Sequence, residues 1–432
     1  MTAEPQPVLI SAKESRISPI LFALLLFVVV FNVKLLWIAK ENILEGYGDF
    51  ASFYASGLIV KEGRGNELYN YDTQREIQRP LFSTVETRED ALPYVHLAYE
   101  TLMYVPLTFV SYPTAIGLWI FINLLIICLV AFYLPFHSSR PPITVGLFLL
   151  LTLLASFPVL VTLIQGQDCI ILLLLYSATF IFLSKGKPAL AGCLLALGLF
   201  KFQLVLPFVG IFLLWRQWRF VWGFAAASIV PIVISIYIAG SHGTSDYIRF
   251  LFQFSQSPSG QFEIEPSKMP NLRGILYTAF SGLLSAKLLF SVTVIASIAL
   301  VVWAVRTSRS APLEIRFALA MLVTLSVSPY LFVYDHAIAG LPLFIVVERL
   351  ASMKNRRASF YRTAYVIFSA LFLMSPSHLV MISYGFAPSL VGLPLIVLTL
   401  LTGMLHPTGV TSEAATDQHL STEFSPGSAT SA

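Results

Sequence analysis

Residues 19–39 read Pro19-Ile-Leu-Phe-Ala-Leu-Leu-Leu-Phe-Val-Val-Val-Phe-Asn-Val-Lys-Leu-Leu-Trp-Ile-Ala39, and a short way on the chain passes through Gly46-Tyr47-Gly48-Asp49-Phe50. An α-helix needs about 20 apolar residues to cross the hydrocarbon layer, so the first run is a membrane helix. It follows Lys13 and Arg16 but is longer than a signal-peptide core and lacks a small-residue cleavage site, so it stays attached. Where it surfaces, Asp49 heads the run Phe50-Ala-Ser-Phe-Tyr-Ala-Ser-Gly-Leu58, in which Phe50, Phe53, Tyr54, Gly57 and Leu58 recur at helical spacing. Two readings of Asp49 stand side by side. It can be the N-cap of a short amphipathic helix lying on the bilayer surface, or a catalytic base held at the water–lipid boundary.

The rest of the composition agrees with a membrane solvent. Of the 432 residues 56% are hydrophobic and only 12% charged, with a mean hydropathy of +0.78, whereas soluble domains carry roughly a quarter charged residues. Short alternating segments of the barrel type are missing, so the expected class is an all-α, polytopic helical membrane protein. The net charge of +4 sits in short loops between apolar runs, the positive-inside pattern, and asks for no nucleic acid. Cys128, Cys169 and Cys193 lie in or beside apolar runs without metal-ligand spacing and read as small buried hydrophobes.

Taken in order, the charge pattern gives about twelve spans with both ends cytoplasmic. Residues 1–17 form a cytoplasmic segment, 18–405 one membrane domain, and 406–432 a disordered cytoplasmic tail. Residues 39–93 form an acidic outer loop with amphipathic helices, and 240–273 a second outer loop punctuated by Gly, Ser and Pro. The stretch Tyr94–Val110, with His96, Glu100 and Pro106, is too short and polar for a span and reads as re-entrant or tilted. The run between Lys187 and Arg216 has basic flanks at both ends, which makes it a hairpin with Lys201 and Gln203 at its apex.

This topology gathers Asp49, His96, Gln165, Gln167, Asp168, Lys201, Gln203, Asn271, Arg273, Asp335 and His336 at one outer face. Ionisable groups near membrane segments usually line an enclosed polar cavity. Carboxylates, cations and amides together suit a lipid phosphate and a sugar. Each has a bland alternative: Lys201 can snorkel to the interface, Arg273 can pair with Glu263 or Glu265 on the surface, Gln165-Gly-Gln167 can simply turn the chain, and His336 can close a helix end. Walker, G-x-S-x-G, H-E-x-x-H and dinucleotide motifs are absent, and Glu263-Ile-Glu265 reads as solvated loop, so no metal and no cofactor are expected.

Gly48-Asp-Phe50, His96-Leu-Ala-Tyr-Glu-Thr-Leu-Met-Tyr-Val-Pro-Leu107, Gly166-Gln167, Ala191-Gly192 with Lys201 beyond, and Ser328-Pro329 followed by Tyr334-Asp335-His336 resemble glycosyltransferase family 87. The family often has a proline pair where this chain has Leu97-Ala98. The resemblance implies a GT-C fold in a bacterial-type plasma membrane with its site on the extracytoplasmic side. It implies inverting transfer of a hexose, mannose in the best-known members, from a polyprenyl-phosphate donor to a hydroxyl of a glycan or glycolipid acceptor, without nucleotide sugar or essential metal. Asp49 falls at the family's acidic position and is the expected base. His96, Gln167, Lys201, Asn271, Arg273, Asp335 and His336 are the expected substrate-binding residues. The alternative is a transporter or flippase of lipid-linked or small polar substrates, which would need a polar path continuing to the cytoplasmic side. A lipid-linked-polysaccharide polymerase or ligase is a further rival, and a purely structural scaffold would have no use for so many one-sided ionisable groups.

Overall fold

The computed structural model describes residues 19–81, 91–133, 143–256, 265–353 and 356–405. Among them every regular element is helical, with one isolated antiparallel bridge between Ser156 and Met374. Residues 1–17 and 406–432, both expected on the cytoplasmic side, and Arg140, Glu86, Glu89, Asp90 and Glu263 lie outside the described residues.

The first third of the chain builds the surroundings of Asp49. Helix α1 (Pro19–Ile38) is followed by α2 (Lys40–Glu45), α3 (Phe50–Lys61), α4 (Tyr71–Leu81) and the single turn α5 (Thr101–Tyr104). Ile20, Leu24, Phe27, Val30 and Trp37 on α1 are exposed, which suits a helix whose solvent is lipid. Helix α3 departs from the expected surface helix. Nine of its twelve residues are buried, among them Phe50, Phe53 and Tyr54. They are held by a cluster of rings reaching Tyr94, Tyr104, Tyr112 and Trp119, where Phe53 stacks on Tyr104 at 4.9 Å between centroids. A run that looks one-sided in sequence is thus enclosed all round by aromatic partners supplied by residues 94–119. Residues 91–97 are irregular and 98–109 form short helical turns, in keeping with a segment that does not span.

The remainder is an aliphatic bundle: α6 (Tyr112–Tyr133), α7 (Ile143–Ala155), α8 (Phe157–Gln165), α9 (Cys169–Ser184), α10 (Pro188–Ala196), α11 (Phe202–Leu214), α12 (Trp218–Gln256), α13 (Leu272–Phe280), α14 (Ala286–Thr307), α15 (Leu313–Val327), α16 (Gly340–Ser352), α17 (Arg356–Leu373), α18 (Ser375–Ser383) and α19 (Gly392–Gly403). Pro158 and Pro376 sit in the first turns of α8 and α18, where a missing backbone N–H costs nothing, and so start new helices in what reads as continuous apolar sequence. Helices α10 and α12 pack in near backbone contact. A Cβ on Gly192 would stand 2.1 Å from the Phe220 carbonyl oxygen, and one on Gly223 equally close to that of Ala189. Small residues facing one another permit such an approach, the usual basis of helix association in lipid.

Four described helices are long and apolar enough to cross a membrane, Pro19–Ile38, Tyr112–Tyr133, Trp218–Phe252 and Ala286–Thr307, and a fifth span arises if α10 and the stretch Leu199–Leu214 count as one. The other apolar runs are shorter helices such as Ile143–Ala155 and Cys169–Ser184, because Pro, Gly and polar turns interrupt them. Two boundaries need correction. Helix α12 continues beyond the expected end of its span at Ala239 through a kink at Gly240 (φ 63°), so much of the expected outer loop 240–273 is helical. The run 188–214 meets at a 71° bend and is not a tight antiparallel hairpin, although Lys201 does sit at the break.

Candidate active site

Helix α8 ends at Gly166, whose φ of +65° closes the left-handed turn, and α9 begins at Cys169. A Cβ at Gly166 would stand 2.5 Å from the Cβ of Phe50 and 2.8 Å from Ile116 Cδ1, so the Gln165–Gly166–Gln167 turn presses directly against the start of α3. Trp119 Nε1 donates to the Gly166 carbonyl at 2.9 Å and pins the turn from the α6 side. Glycine is required here by backbone conformation and by space together.

That turn holds Asp49 by both ends. The Asp49 backbone N–H donates to Gln165 Oε1 at 3.1 Å, and Gln167 Nε2 donates to Asp49 Oδ2 at 2.8 Å. Asp49 occupies the N-cap position of α3 as expected, yet its backbone is already helical and its side chain caps nothing. The capping reading therefore does not explain this carboxylate. Asp49 is only partly buried.

The other face of Gln167 meets Lys201. Its Oε1 accepts from Lys201 Nζ at 3.2 Å, and the same ammonium donates to Asp335 Oδ1 at 2.9 Å and lies 3.1 Å from Asp168 Oδ1. The amide orientation of Gln167 is fixed by this sandwich, because a carboxylate on one side accepts only the NH₂ and an ammonium on the other donates only to the oxygen. Lys201 is 2% exposed, so it does not snorkel, and its three N–H groups face three acceptors of the chain. Asp335 is equally occupied, with Oδ2 accepting from the Phe332 N–H and Oδ1 also receiving the Cys169 thiol at 3.4 Å.

Beyond Asp168 lies a second acid that the sequence reading passed over. His96 Nδ1 is 2.7 Å from Glu100 Oε2 and 3.2 Å from Asp168 Oδ2, with Glu100 and Asp168 fully buried. The Tyr94 and Tyr104 hydroxyls also donate to Glu100, at 3.1 and 3.2 Å. Burial opposes charge on His96, but the neighbouring Glu100 and Asp168 carboxylates outweigh it and raise its pKa to about 9. His96, Glu100 and Asp168 place ligand-type atoms within 4.8 Å of one another, a set that could hold a metal ion. They are already closed on themselves by ion pairs, with Lys201 at their edge, which fits a self-neutralised polar core better than a cation cage. The signal for Glu100 and Asp168 was available in sequence as carboxylates inside otherwise apolar stretches.

Asn271, Arg273 and His336 attach to the same region through the segment 328–336. Asn271 caps α13, accepting from the Gly274 N–H and donating to the Ser328 carbonyl at 2.8 Å. Arg273 Nη1 donates to the Pro329 carbonyl at 2.7 Å and its guanidinium lies 5.4 Å from the Tyr330 ring centre. Glu265 pairs with Lys268 instead, so among the described residues no carboxylate neutralises Arg273. His336 is buried, with Nδ1 at 3.2 Å from the Phe332 carbonyl and its ring edge-on to Phe372. The structure thus joins Asp49, Gln167, Lys201, Asp335 and His96 in one continuous network, holds Asn271 and Arg273 at the start of α13 against the segment that delivers Asp335, and places His336 next to Asp335 on that segment. Gln203, two residues past Lys201, makes no contact with this network among the hydrogen bonds of the described residues.

The family model of glycosyltransferase family 87 matches residues 100–329, just over half of the chain. The chain belongs to glycosyltransferase family 87. It is accordingly a membrane glycosyltransferase. No curated protein and no solved structure matches it. The matched range contains Gln167, Asp168, Lys201, Asn271 and Arg273 and begins at Glu100, while Asp49, His96, Asp335 and His336 lie beyond its ends. In this family 87 glycosyltransferase Asp49, Asp335 and His96, outside the match, are tied by hydrogen bonds and an ion pair to Gln167, Lys201 and Asp168 inside it.

Proposed function

We propose that this glycosyltransferase catalyses inverting transfer of a hexose, mannose by preference, from a polyprenyl-phosphate donor to an acceptor hydroxyl, with Asp49 as general base. The reading places a GT-C-like domain of about twelve crossings in a bacterial-type plasma membrane, the shorter apolar helices serving as crossings too, with the site facing the extracytoplasmic side. A glycan or glycolipid supplies the acceptor. One observation carries it: Asp49 is the partly exposed carboxylate of an otherwise buried polar network, oriented by the Gln165 and Gln167 amides.

In the proposed reaction the acceptor oxygen attacks the anomeric carbon on the face opposite the phosphate. A new C–O bond forms, the bond from that carbon to the phosphate oxygen breaks, and Asp49 takes the hydroxyl proton as the lipid monophosphate leaves. A positioned base typically contributes about 10²–10⁴-fold. Fixed cations and amides stabilise the growing negative charge of the leaving phosphate. Lys201 suits this role less than the sequence suggested, since two carboxylates already surround its ammonium. Arg273, held by a carbonyl and a ring and not by an acid, suits it better. His336 and Gln167 complete the polar lining, and Lys201 serves to hold the Gln167 amide toward Asp49.

Asp49→Asn tests the assignment in the purified full chain reconstituted into lipid nanodiscs. Binding of a polyprenyl-phosphate mannose should persist while transfer falls by about 10²–10⁴-fold. Turnover close to wild type would remove Asp49 from the role.

A further inference from the structure

Helix α11 leaves the Lys201 break and, at 1.5 Å per residue, ends about 20 Å away at Trp215. There Trp215 Nε1 donates to the Val305 carbonyl of α14 at 3.3 Å, and the Arg316 guanidinium of α15 lies over the indole, 4.6 Å from its ring centre. Arg216 follows Trp215 in the chain, Arg306 follows Val305, and Arg309 lies in the turn between α14 and α15; all three are exposed. Among the described residues no carboxylate pairs with any of these four arginines, Glu314 two residues before Arg316 included. The Arg316 Nε is enclosed without an acceptor. A half-buried guanidinium stacked on a ring and left without an anion is unfavourable by itself, since burial withdraws water from it and nothing in the chain replaces that water.

Arg216 adds an independent observation. Its φ is +58°, and every other described residue with φ in the left-handed region is a glycine. The turn it makes, with its own N–H on the Leu213 carbonyl and the Gln217 N–H on the Phe212 carbonyl, is the kind of helix end that Gly166 makes for α8. An arginine there crowds its own backbone where a glycine would not. A general need for positive charge at this end of the bundle does not explain the choice, because Lys185 meets it at the end of α9 with a φ of −81°. The surface next to the arginines is apolar: Leu213 and Leu214 on α11, Val302 on α14 and Trp218 at the start of α12 are all exposed.

We infer that the Trp215–Arg316 stack, with Arg216 and Arg306 beside it, binds the phosphate of an anionic glycerophospholipid at the end of the bundle remote from Asp49. The guanidinium fork matches phosphate oxygens two at a time, and the indole holds its plane. The exposed leucines and Val302 offer an apolar face to the acyl chains, which a free phosphate does not have. The site is separate from the transfer chemistry and does not depend on the reading of Asp49 as base.

The full chain is delipidated in maltoside detergent and titrated with dioleoyl phosphatidylglycerol, dioleoyl phosphatidylcholine and glycerol 3-phosphate, with bound molecules counted by native mass spectrometry and the unfolding midpoint read in parallel. Phosphatidylglycerol should bind at least about tenfold more tightly than the other two. Arg216→Gly should weaken it by about fivefold, the worth of one basic residue at an anionic headgroup. The same variant should raise the unfolding midpoint in the absence of lipid, because glycine relieves the left-handed backbone. Arg316→Lys, which keeps the charge and loses the stacked fork, should weaken phosphatidylglycerol binding by a similar factor. Lys185→Gln, at the same end of the bundle, should leave it unchanged. Equal weakening by Lys185→Gln would mean a diffuse field of positive charge, and glycerol 3-phosphate bound as tightly as the lipid would mean a soluble-anion site; either result overturns the inference. Wild-type lipid affinity in either arginine variant overturns it as well. Where Arg316→Lys fails to fold, Arg216→Gly carries the test alone.

Discussion

Asp49 and Asp168 stand in the same local position, each immediately before a helix, and neither side chain caps it. Their surroundings differ completely. Asp49 is partly exposed and oriented by neutral amides, whereas Asp168 is fully buried and faces Lys201 and His96. Asp168 shares a buried site with two cations, while Asp49 meets the Gln167 amide at the partly exposed edge of the network. The pair shows how one network separates a group available for chemistry from a group that sets its geometry, with Gln167 and Lys201 as the link between them.

The sharpest way to break that comparison is to neutralise each acid in turn. Asp49→Asn should lose about 10²–10⁴-fold in transfer and leave the thermal unfolding midpoint in detergent near wild type. Asp168→Ala should do the reverse first, destabilising by about 3–5 kcal/mol because Lys201 and His96 lose a buried partner. Equal effects of the two on unfolding would erase the distinction. Lys201→Met should cost stability of the same order, since Asp168 and Asp335 then share a buried site without the ammonium. Adding Asp335→Asn to it should recover part of the loss; a double variant worse than the single would show that Lys201 is not there to offset those charges.

Gln167→Leu probes the link. It removes a hydrogen bond to a charged group, worth about 1.5–3 kcal/mol, from Asp49 and another from Lys201. Read kinetically, kcat should fall by roughly 10- to 100-fold with the donor KM little changed. A change confined to KM would make Gln167 a substrate ligand and not an orienting group.

A pH dependence is expected on the His96 side. Its folded-state pKa is raised to about 9, while an unfolded histidine titrates near 6.5. The extra stability is therefore fully present below about pH 6.5 and is lost as pH rises through about 9. Melting curves of wild type and His96→Gln should converge between those limits as pH increases. Curves that diverge instead would mean that His96 is neutral in the folded protein.

How much of this was legible beforehand follows from which forces act locally. Hydropathy alone fixes the class and the positions of α1, α6, the first part of α12 and α14, because lipid forces any long apolar run to satisfy its own backbone as a helix. The breaks at Pro158 and Pro376 were readable in principle, since proline acts on its own backbone neighbours. The continuation of α12 past Gly240 was hidden, because a glycine can end a helix or kink it and only the packing after it decides. The enclosure of α3 was hidden for a related reason, its covering rings coming from residues 94–119.

The site divides in the same way. Sequence by itself determined that Asp49 follows the first membrane helix, that Gln167 sits in a turn between two apolar helices and that Lys201 interrupts another, since rare polar residues in apolar surroundings are visible without coordinates. Tertiary structure alone decided the pairing: that Gln167 stands between Asp49 and Lys201, that Lys201 belongs to Asp168 and Asp335, and that Glu100 closes the network through His96. A charge announces in sequence that it needs a partner. Which partner it receives depends on helix ends more than a hundred residues apart meeting at one point, and only the packing of the whole bundle supplies that.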